Sequence, residues 1–184
     1  MINKEPTPKK KKVNGKKKGN SYEREISNKF SERFKEVTGI EKSFRRNTDS
    51  GSFFGGQNKT RTEQYDLNNA CFGDIMTPVN FKFTLECKSY HSAPTVASIL
   101  KHNIKNWDEW IEQSESDAES ANKKQFLVVK YNNIPEMVII KDDLTHLGVN
   151  YAIQYHEYKV YNLNDILQLP DDFFFEIEDK KAED

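Results

Sequence analysis

The chain has 184 residues, of which 35% are hydrophobic and 31% charged, and its net charge is −1. This length fits one domain whose core needs no disulfide or metal, and twelve Phe, eight Tyr and two Trp supply bulky core side chains. No apolar run approaches the roughly 20 residues that span a bilayer, and the N-terminus lacks a signal peptide's apolar region. The two cysteines lack zinc-ligand spacing. We therefore expect a soluble, intracellular, cytoplasmic protein without a membrane partner.

The net charge conceals opposite charges at the two ends of the chain. Residues 1–18 hold eight lysines against Glu5, whereas residues 165–184 hold eight acidic residues against two lysines. The lysine run is expected to be disordered by self-repulsion, and it either contacts nucleic-acid phosphates or serves as a solubilising tail. These observations divide the chain into a basic arm at 1–18, a folded domain at 19–169 and an acidic tail at 170–184.

The first predicted element is a helix over residues 21–38. Asn20 and Glu23 have the spacing of a capping box, and apolar residues recur at helical intervals as far as Gly39. Glu23 has two interpretations, because it can cap the helix N-terminus or, at the border of the apolar stripe, belong to a functional site.

A series of strands and helices follows. Residues 43–48 predict a short strand, a long Gly-rich loop runs to Asn69, and a β-hairpin is predicted from Cys71 to Tyr90. A short helix is predicted after Pro94, and a longer one over residues 106–123 begins where Asn106 and Glu109 again have capping-box spacing. Further strands and a last short helix follow. Two of these strands are predicted at 126–130 and 136–140, and a peripheral strand comes before the last helix. This order indicates an α/β or α+β domain with a central mixed sheet flanked by helices.

The returning strand of the hairpin, FTLECKSY, combines an apolar face with a polar one. Side chains alternate with period two, so Leu85 and Cys87 face the core whereas Glu86 and Lys88 share the polar face. These charges could simply lie in water on a half-buried strand. Alternatively, the hairpin brings Asp74 beside Glu86, a carboxylate pair that suits Mg²⁺ or Mn²⁺, while Lys88 positions the attacking water or stabilises charge in the transition state.

Asp74 followed by Glu86-Cys87-Lys88 resembles the motif of the PD-(D/E)xK nuclease superfamily, and the chain is similar to its Holliday-junction-resolvase-like branch, phage members included. Gly19 to Glu23 is similar to the Gly-x-x-x-Glu opening of that family's first helix. Arg46 to Gly51 is similar to its Arg-x-x-x-Ser-Gly loop. One departure is Gly73, where the superfamily motif has proline.

The resemblance implies a restriction-endonuclease-like fold and a set of site residues. Glu23, Asp74 and Glu86, with the backbone carbonyl of Cys87, would be metal ligands, and Lys88 would be the catalytic lysine. Gln113 would support the site from the second long helix, although its position alone also fits an exposed helix residue. The residues expected to contact DNA are Arg46, Ser50, Lys59 and Arg61. The last two lie in a loop that either follows the DNA backbone or is a solvated insertion.

The implied function is that of a Mg²⁺-dependent endodeoxyribonuclease, with Mn²⁺ as a possible substitute, acting as a Holliday-junction resolvase on branched recombination intermediates. Two strands of a four-way junction must be cut, so a homodimer with two sites is expected. One alternative is a restriction, repair or replication nuclease that cuts duplex or flap DNA. The other is a DNA-binding accessory protein without turnover.

Overall fold

The computed structural model describes residues 15–47 and 72–176. The helices within these ranges are α1 Gly15–Arg33, α2 Lys35–Thr38, α3 Val96–Leu100, α4 Lys105–Ser120, α5 Leu163–Ile166 and α6 Asp171–Phe174. The strands are β1 Arg45–Arg46, β2 Ile75–Met76, β3 Phe83–Tyr90, β4 Lys124–Tyr131, β5 Met137–Ile140, β6 Ile153–Tyr155 and β7 Tyr158–Asn162. A 3-10 turn lies at Thr145–Leu147.

The described strands form one mixed sheet in the order β1-β2-β3-β4-β5-β7-β6. β3 and β4 run parallel and are joined through α3 and α4, whereas each of the other neighbouring pairs is antiparallel. The predicted hairpin is confirmed by the pairing of Ile75 on β2 with Leu85 on β3. The predicted central mixed sheet flanked by helices is likewise confirmed.

One face of the sheet packs against α1 through a cluster rich in phenylalanine. Phe30 and Phe34 are fully buried and lie against Phe44 and Phe81 with ring centroids 5.4–6.3 Å apart, mostly edge to face. Phe126 of β4 meets Phe30 in the same way at 5.8 Å. Large aromatic side chains in such arrangements contribute more than their buried area alone. This cluster fixes α1 against the centre of the sheet.

The opposite face is covered by α4. Trp107, Trp110 and Ile111 form a second apolar cluster with Leu127 and Val129, the β4 residues that alternate with those facing α1. The polar face of β3 is therefore covered around Glu86, and the alternative in which its charges lie in water does not hold there. Thr84 and Glu86 are 1% and 2% exposed, because α4 packs over this part of the sheet.

The helix starts differ from those predicted by the two capping boxes. α1 begins at Gly15, so Asn20 lies inside the helix, and a break at Phe34 separates α1 from α2. α4 begins at Lys105 after Ile104, which makes no side-chain capping bond. The Asn-x-x-Glu spacing was thus wrong as a start signal in both places.

The packed part of the chain extends past residue 169, the predicted end of the folded domain. Phe174 and Phe175 are buried in the cluster beneath α1. The Lys82 amide donates to the Phe174 carbonyl at 2.8 Å, and Phe175 forms a bridge with Phe81. In the described part of the chain, no helix has the length and apolar character needed to cross a membrane.

Candidate active site

Asp74, Glu86 and Lys88 meet where the start of β2 lies beside β3, at the end of the hairpin away from its turn. The Asp74 amide donates to the Leu85 carbonyl at 2.9 Å, and Asp74 Oδ2 accepts the Cys87 amide at 2.9 Å. Asp74 is thereby attached to β3 on both sides of Glu86. The hairpin brings the two carboxyl groups together as the sequence predicted.

Gly73 makes the close approach of Asp74 to β3 possible. Its φ is +72°, a left-handed conformation, and a Cβ atom there would lie 2.9 Å from the Leu85 carbonyl oxygen. Proline, which stands at this position in the superfamily motif, holds φ near −65° and could not adopt this backbone. The departure from the motif therefore has a local structural reason.

Both carboxyl groups are less acidic than usual because they share a buried site. Burial and the nearby Asp74 charge raise the pKa of Glu86 to about 7, against the opposing effect of Lys88. Burial raises the pKa of Asp74 as well, and the charge of Glu23 adds to this, while the hydrogen bond from the Cys87 amide and the Lys88 charge oppose it. A cation placed between these groups would relieve their repulsion.

Lys88 is held in place by two oxygen acceptors. Its Nζ donates to Glu86 Oε1 at 2.5 Å and to Gln113 Oε1 at 2.9 Å, and its side chain is 18% exposed. An ammonium group has three donors, so one N–H remains for a substrate oxygen. Gln113 on α4 thus contacts the predicted catalytic lysine directly.

Glu23 reaches the edge of the site from α1. Its carboxylate pairs with the Arg46 guanidinium, which also donates to Asn20 Oδ1 at 3.1 Å. Arg46, predicted to contact DNA, therefore binds two side chains of α1 in this structure. Glu23 acts on Asp74 through its charge.

The carboxylate oxygens of Asp74 and Glu86 suit a hard divalent cation, but they make up only part of its ligands. Mg²⁺ commonly takes one or two carboxylates and keeps several waters, which matches Asp74 and Glu86. Within residues 15–47 and 72–176, no group of three or more His, Cys, Asp or Glu side chains is arranged to hold a metal ion. Cys87 borders the pair through its backbone, and burial, with the nearby carboxylate charges, raises the pKa of its thiol.

Asn47 contacts the site but was not singled out by the sequence. Its amide donates to the Asp74 carbonyl at 2.7 Å, and its Nδ2 donates to the Gly73 carbonyl at 3.1 Å. These contacts depend on the pairing of β1 with β2, so no local pattern could have indicated them. Three predicted DNA-binding residues, Ser50, Lys59 and Arg61, lie outside the described residues.

Comparison with known families supports the PD-(D/E)xK superfamily that the motifs suggested. A model of the family described as "Phage putative PDDEXK endonuclease" matches residues 14–179. The chain belongs to this family. The mixed sheet with flanking helices is consistent with the fold of a PDDEXK nuclease. No curated protein and no solved structure matches the chain significantly.

Membership of this family supports nuclease activity, and DNA is the substrate class that the family implies. The residues that carry the PD-(D/E)xK resemblance, Asp74, Glu86 and Lys88, are the ones that the fold gathers where the start of β2 lies beside β3.

Proposed function

We propose that the protein is a divalent-metal-dependent endonuclease that hydrolyses phosphodiester bonds in DNA, with Mg²⁺ as its cofactor and Mn²⁺ as a substitute. The observation that carries this proposal is the buried pair of Asp74 and Glu86 carboxyl groups, beside a lysine fixed by Glu86 and Gln113. A buried like-charged pair of this kind is costly in a fold that has no use for it.

Asp74 and Glu86 would hold the metal, with the Cys87 carbonyl beside them and Glu23 joining from α1. The bound metal would supply Lewis-acid activation of water and of the phosphate. Glu23 now pairs with Arg46, so its entry into the metal site requires it to leave that guanidinium. Arg46 would then be available for a DNA phosphate, the role that its position in the sequence suggested.

Lys88 contributes a positive charge at a fixed position. Two of its hydrogen bonds go to Glu86 and Gln113, so the ammonium loses little freedom when substrate binds. The remaining N–H can donate to a non-bridging phosphate oxygen, where negative charge develops during hydrolysis. Burial of Glu86 and partial burial of Lys88 strengthen this interaction by excluding water.

Within this reaction class, we propose a Holliday-junction resolvase that acts on branched DNA as a homodimer. The support is the similarity of the Gly19–Glu23 and Arg46–Gly51 segments to the resolvase-like branch. A symmetric dimer would present two sites to the two strands that must be cut.

The test of the nuclease is cleavage of labelled four-way junction, flap, duplex and single-stranded DNA in Mg²⁺, Mn²⁺ or EDTA. Lys88→Ala should lower the cleavage rate at least about 100-fold, because a positioned charge or proton donor commonly contributes that much. Lys105→Ala, at a lysine whose side chain is 85% exposed on α4, is the matched control and should cleave normally. Full activity of Lys88→Ala would contradict the site assignment.

The same assay separates the finer alternatives. Paired, symmetric cuts in the junction by a protein that sediments as a dimer would support the resolvase. Preference for duplex or flap DNA would retain the nuclease and reject the resolvase. Binding of DNA without any cleavage in either metal would reject the nuclease and favour an accessory protein.

A further inference from the structure

We infer that Asn47 is a positioning residue that holds Asp74 in the orientation needed for metal binding. This inference rests on the proposed function for the role of the metal, and on observed contacts for the role of Asn47. Asn47 follows β1 and lies opposite the segment that leads into β2. Among the residues that the structure describes, its side chain donates to the Gly73 carbonyl and not to a carboxyl group of the pair.

The backbone around Asp74 has little regular structure to fix it. Gly73 has a left-handed φ of +72°, and Asp74 precedes a strand of only two residues. Such a segment depends on individual hydrogen bonds more than a residue in the middle of a long strand does. The position of the Asp74 carboxyl group is therefore sensitive to each bond that holds residues 73 and 74.

Asn47 supplies two of these bonds from the side away from β3. Its backbone amide donates to the Asp74 carbonyl at 2.7 Å, and its side-chain amide donates to the Gly73 carbonyl at 3.1 Å. On the other side, the Asp74 amide and Oδ2 bond to the backbone of β3 at Leu85 and Cys87. The segment at 73–74 is thus held between β1 and β3.

The side chain of Asn47 suits this role for chemical reasons. The Gly73 carbonyl accepts a hydrogen bond from the Asn47 side-chain amide, a donor that alanine lacks and an ionised aspartate cannot provide. Arg46, the preceding residue, pairs with Glu23. Arg46, at the end of β1, therefore contacts the Glu23 carboxylate, and Asn47, the next residue, contacts the backbone that carries the Asp74 carboxylate.

The first measurement compares amide hydrogen exchange in metal-free wild type and Asn47→Ala by NMR. The Cys87 amide donates to Asp74 Oδ2, so its exchange reports whether the carboxylate stays in place. In Asn47→Ala it should exchange about five times faster, the effect of losing roughly one hydrogen bond's stabilisation. The Val128 amide, in the middle of β4, should be unchanged. Exchange of Cys87 at the wild-type rate would overturn the inference.

The second measurement is Mn²⁺ binding by calorimetry without DNA. Asn47→Ala should bind about tenfold more weakly, as is common when a residue that orients a metal ligand is lost. Asn80→Ala is the matched control, because Asn80 Nδ2 also donates to a backbone carbonyl, that of Glu176 at 3.3 Å, away from the site. It should bind Mn²⁺ as wild type does. Equal affinities of Asn47→Ala and wild type would contradict the inference.

These readouts distinguish failure of this inference from failure of the proposed function. If wild type itself binds no Mn²⁺, the proposed cofactor is wrong, yet Cys87 exchange still decides whether Asn47 holds Asp74. If Asn47→Ala does not fold, Asn47→Ser, which keeps a small polar donor, replaces it in both measurements. In Asn47→Ser the Cys87 amide should exchange faster than in wild type and Mn²⁺ should bind more weakly, and wild-type values for both would overturn the inference.

Discussion

Glu86 is a carboxyl group that the fold keeps away from water. It is 2% exposed, and its neighbours are Asp74, whose charge raises its pKa, and Lys88, which opposes that effect. Active sites commonly contain groups whose pKa is shifted by burial together with a specific charged partner. The same shift has a consequence for stability that can be measured without substrate or metal.

Without metal, the protein should lose stability as the pH rises from about 4.5 to about 7. Over this range folded Glu86 keeps a proton that the unfolded chain has released, so the free energy of unfolding falls with pH, by at most about 1.4 kcal/mol per pH unit for one group. Urea denaturation in EDTA measures this slope. Glu86→Gln should flatten it.

Glu109→Gln is the matched control for that experiment, since Glu109 is an exposed glutamate on α4. It should retain the slope of wild type. An identical slope in Glu86→Gln and wild type would show that Glu86 keeps an ordinary acidity in the folded protein.

At the scale of elements, α4 both packs against the sheet and contributes a residue to the candidate site. Its apolar side covers the sheet through Trp107, Trp110 and Ile111, while Gln113 at the border of that side reaches Lys88. Because Gln113 is one turn from Trp110, the packing of the tryptophans sets the position of the glutamine. The helix thus connects the core to the site.

Gln113→Ala should lower the rate constant for DNA cleavage about tenfold and leave the melting temperature nearly unchanged. A hydrogen bond to a charged group contributes roughly 1.5–3 kcal/mol, and about 1.4 kcal/mol corresponds to a tenfold change in rate. Single-turnover cleavage measures the effect, with Glu112→Ala on the exposed side of α4 as the control. Unchanged cleavage in Gln113→Ala would leave Gln113 without a role in fixing Lys88.

Local sequence patterns predicted the helices and strands well, but they predicted the contacts between distant segments less well. The hairpin and the strands at 126–130 and 136–140 follow from period-two patterns and turn residues, which are local properties. The prediction that Asn20 starts the helix was wrong because the Asn-x-x-Glu spacing also occurs inside helices. The Asn20 side chain accepts a hydrogen bond from Arg46, which is 26 positions away in the chain, so no local pattern could indicate this contact.

The candidate site likewise has features that the sequence predicted and features that it did not. The motif and the hairpin indicated that Asp74, Glu86 and Lys88 come together. The burial of Glu86 depends on α4 packing over β3, and the contacts of Asn47 depend on β1 pairing with β2. Both require the three-dimensional arrangement of distant segments, which period and spacing do not encode.

At the scale of the molecule, the start of α1 affects how the role of the basic arm can be tested. The sequence placed the end of the arm at residue 18, but the helix begins at Gly15, and Lys18 Nζ donates to Asn132 Oδ1 at 3.3 Å. Removing residues 1–18 would therefore also remove the first turn of α1. Truncation before Gly15 leaves the helix whole.

A chain that begins at Gly15 should bind DNA with a weaker dependence on salt. It lacks five lysines of the arm. If these contact phosphates, the slope of log K against log salt concentration should fall by up to about 4. Fluorescence anisotropy at several salt concentrations gives the slope. An unchanged slope would favour the alternative that the arm is a solubilising tail.

Both tryptophans of the chain lie in α4, on one side of the sheet, whereas the other side is packed with phenylalanine. Light that excites tryptophan therefore reports the environment of one layer alone, and the phenylalanine layer under α1 gives no signal at that wavelength. Circular dichroism, by contrast, detects helices on both sides. Denaturation curves from the two methods coincide if the layers unfold together and separate if one is lost first. Because of this distribution of aromatic residues, tryptophan fluorescence compared with circular dichroism reports whether the two layers unfold cooperatively.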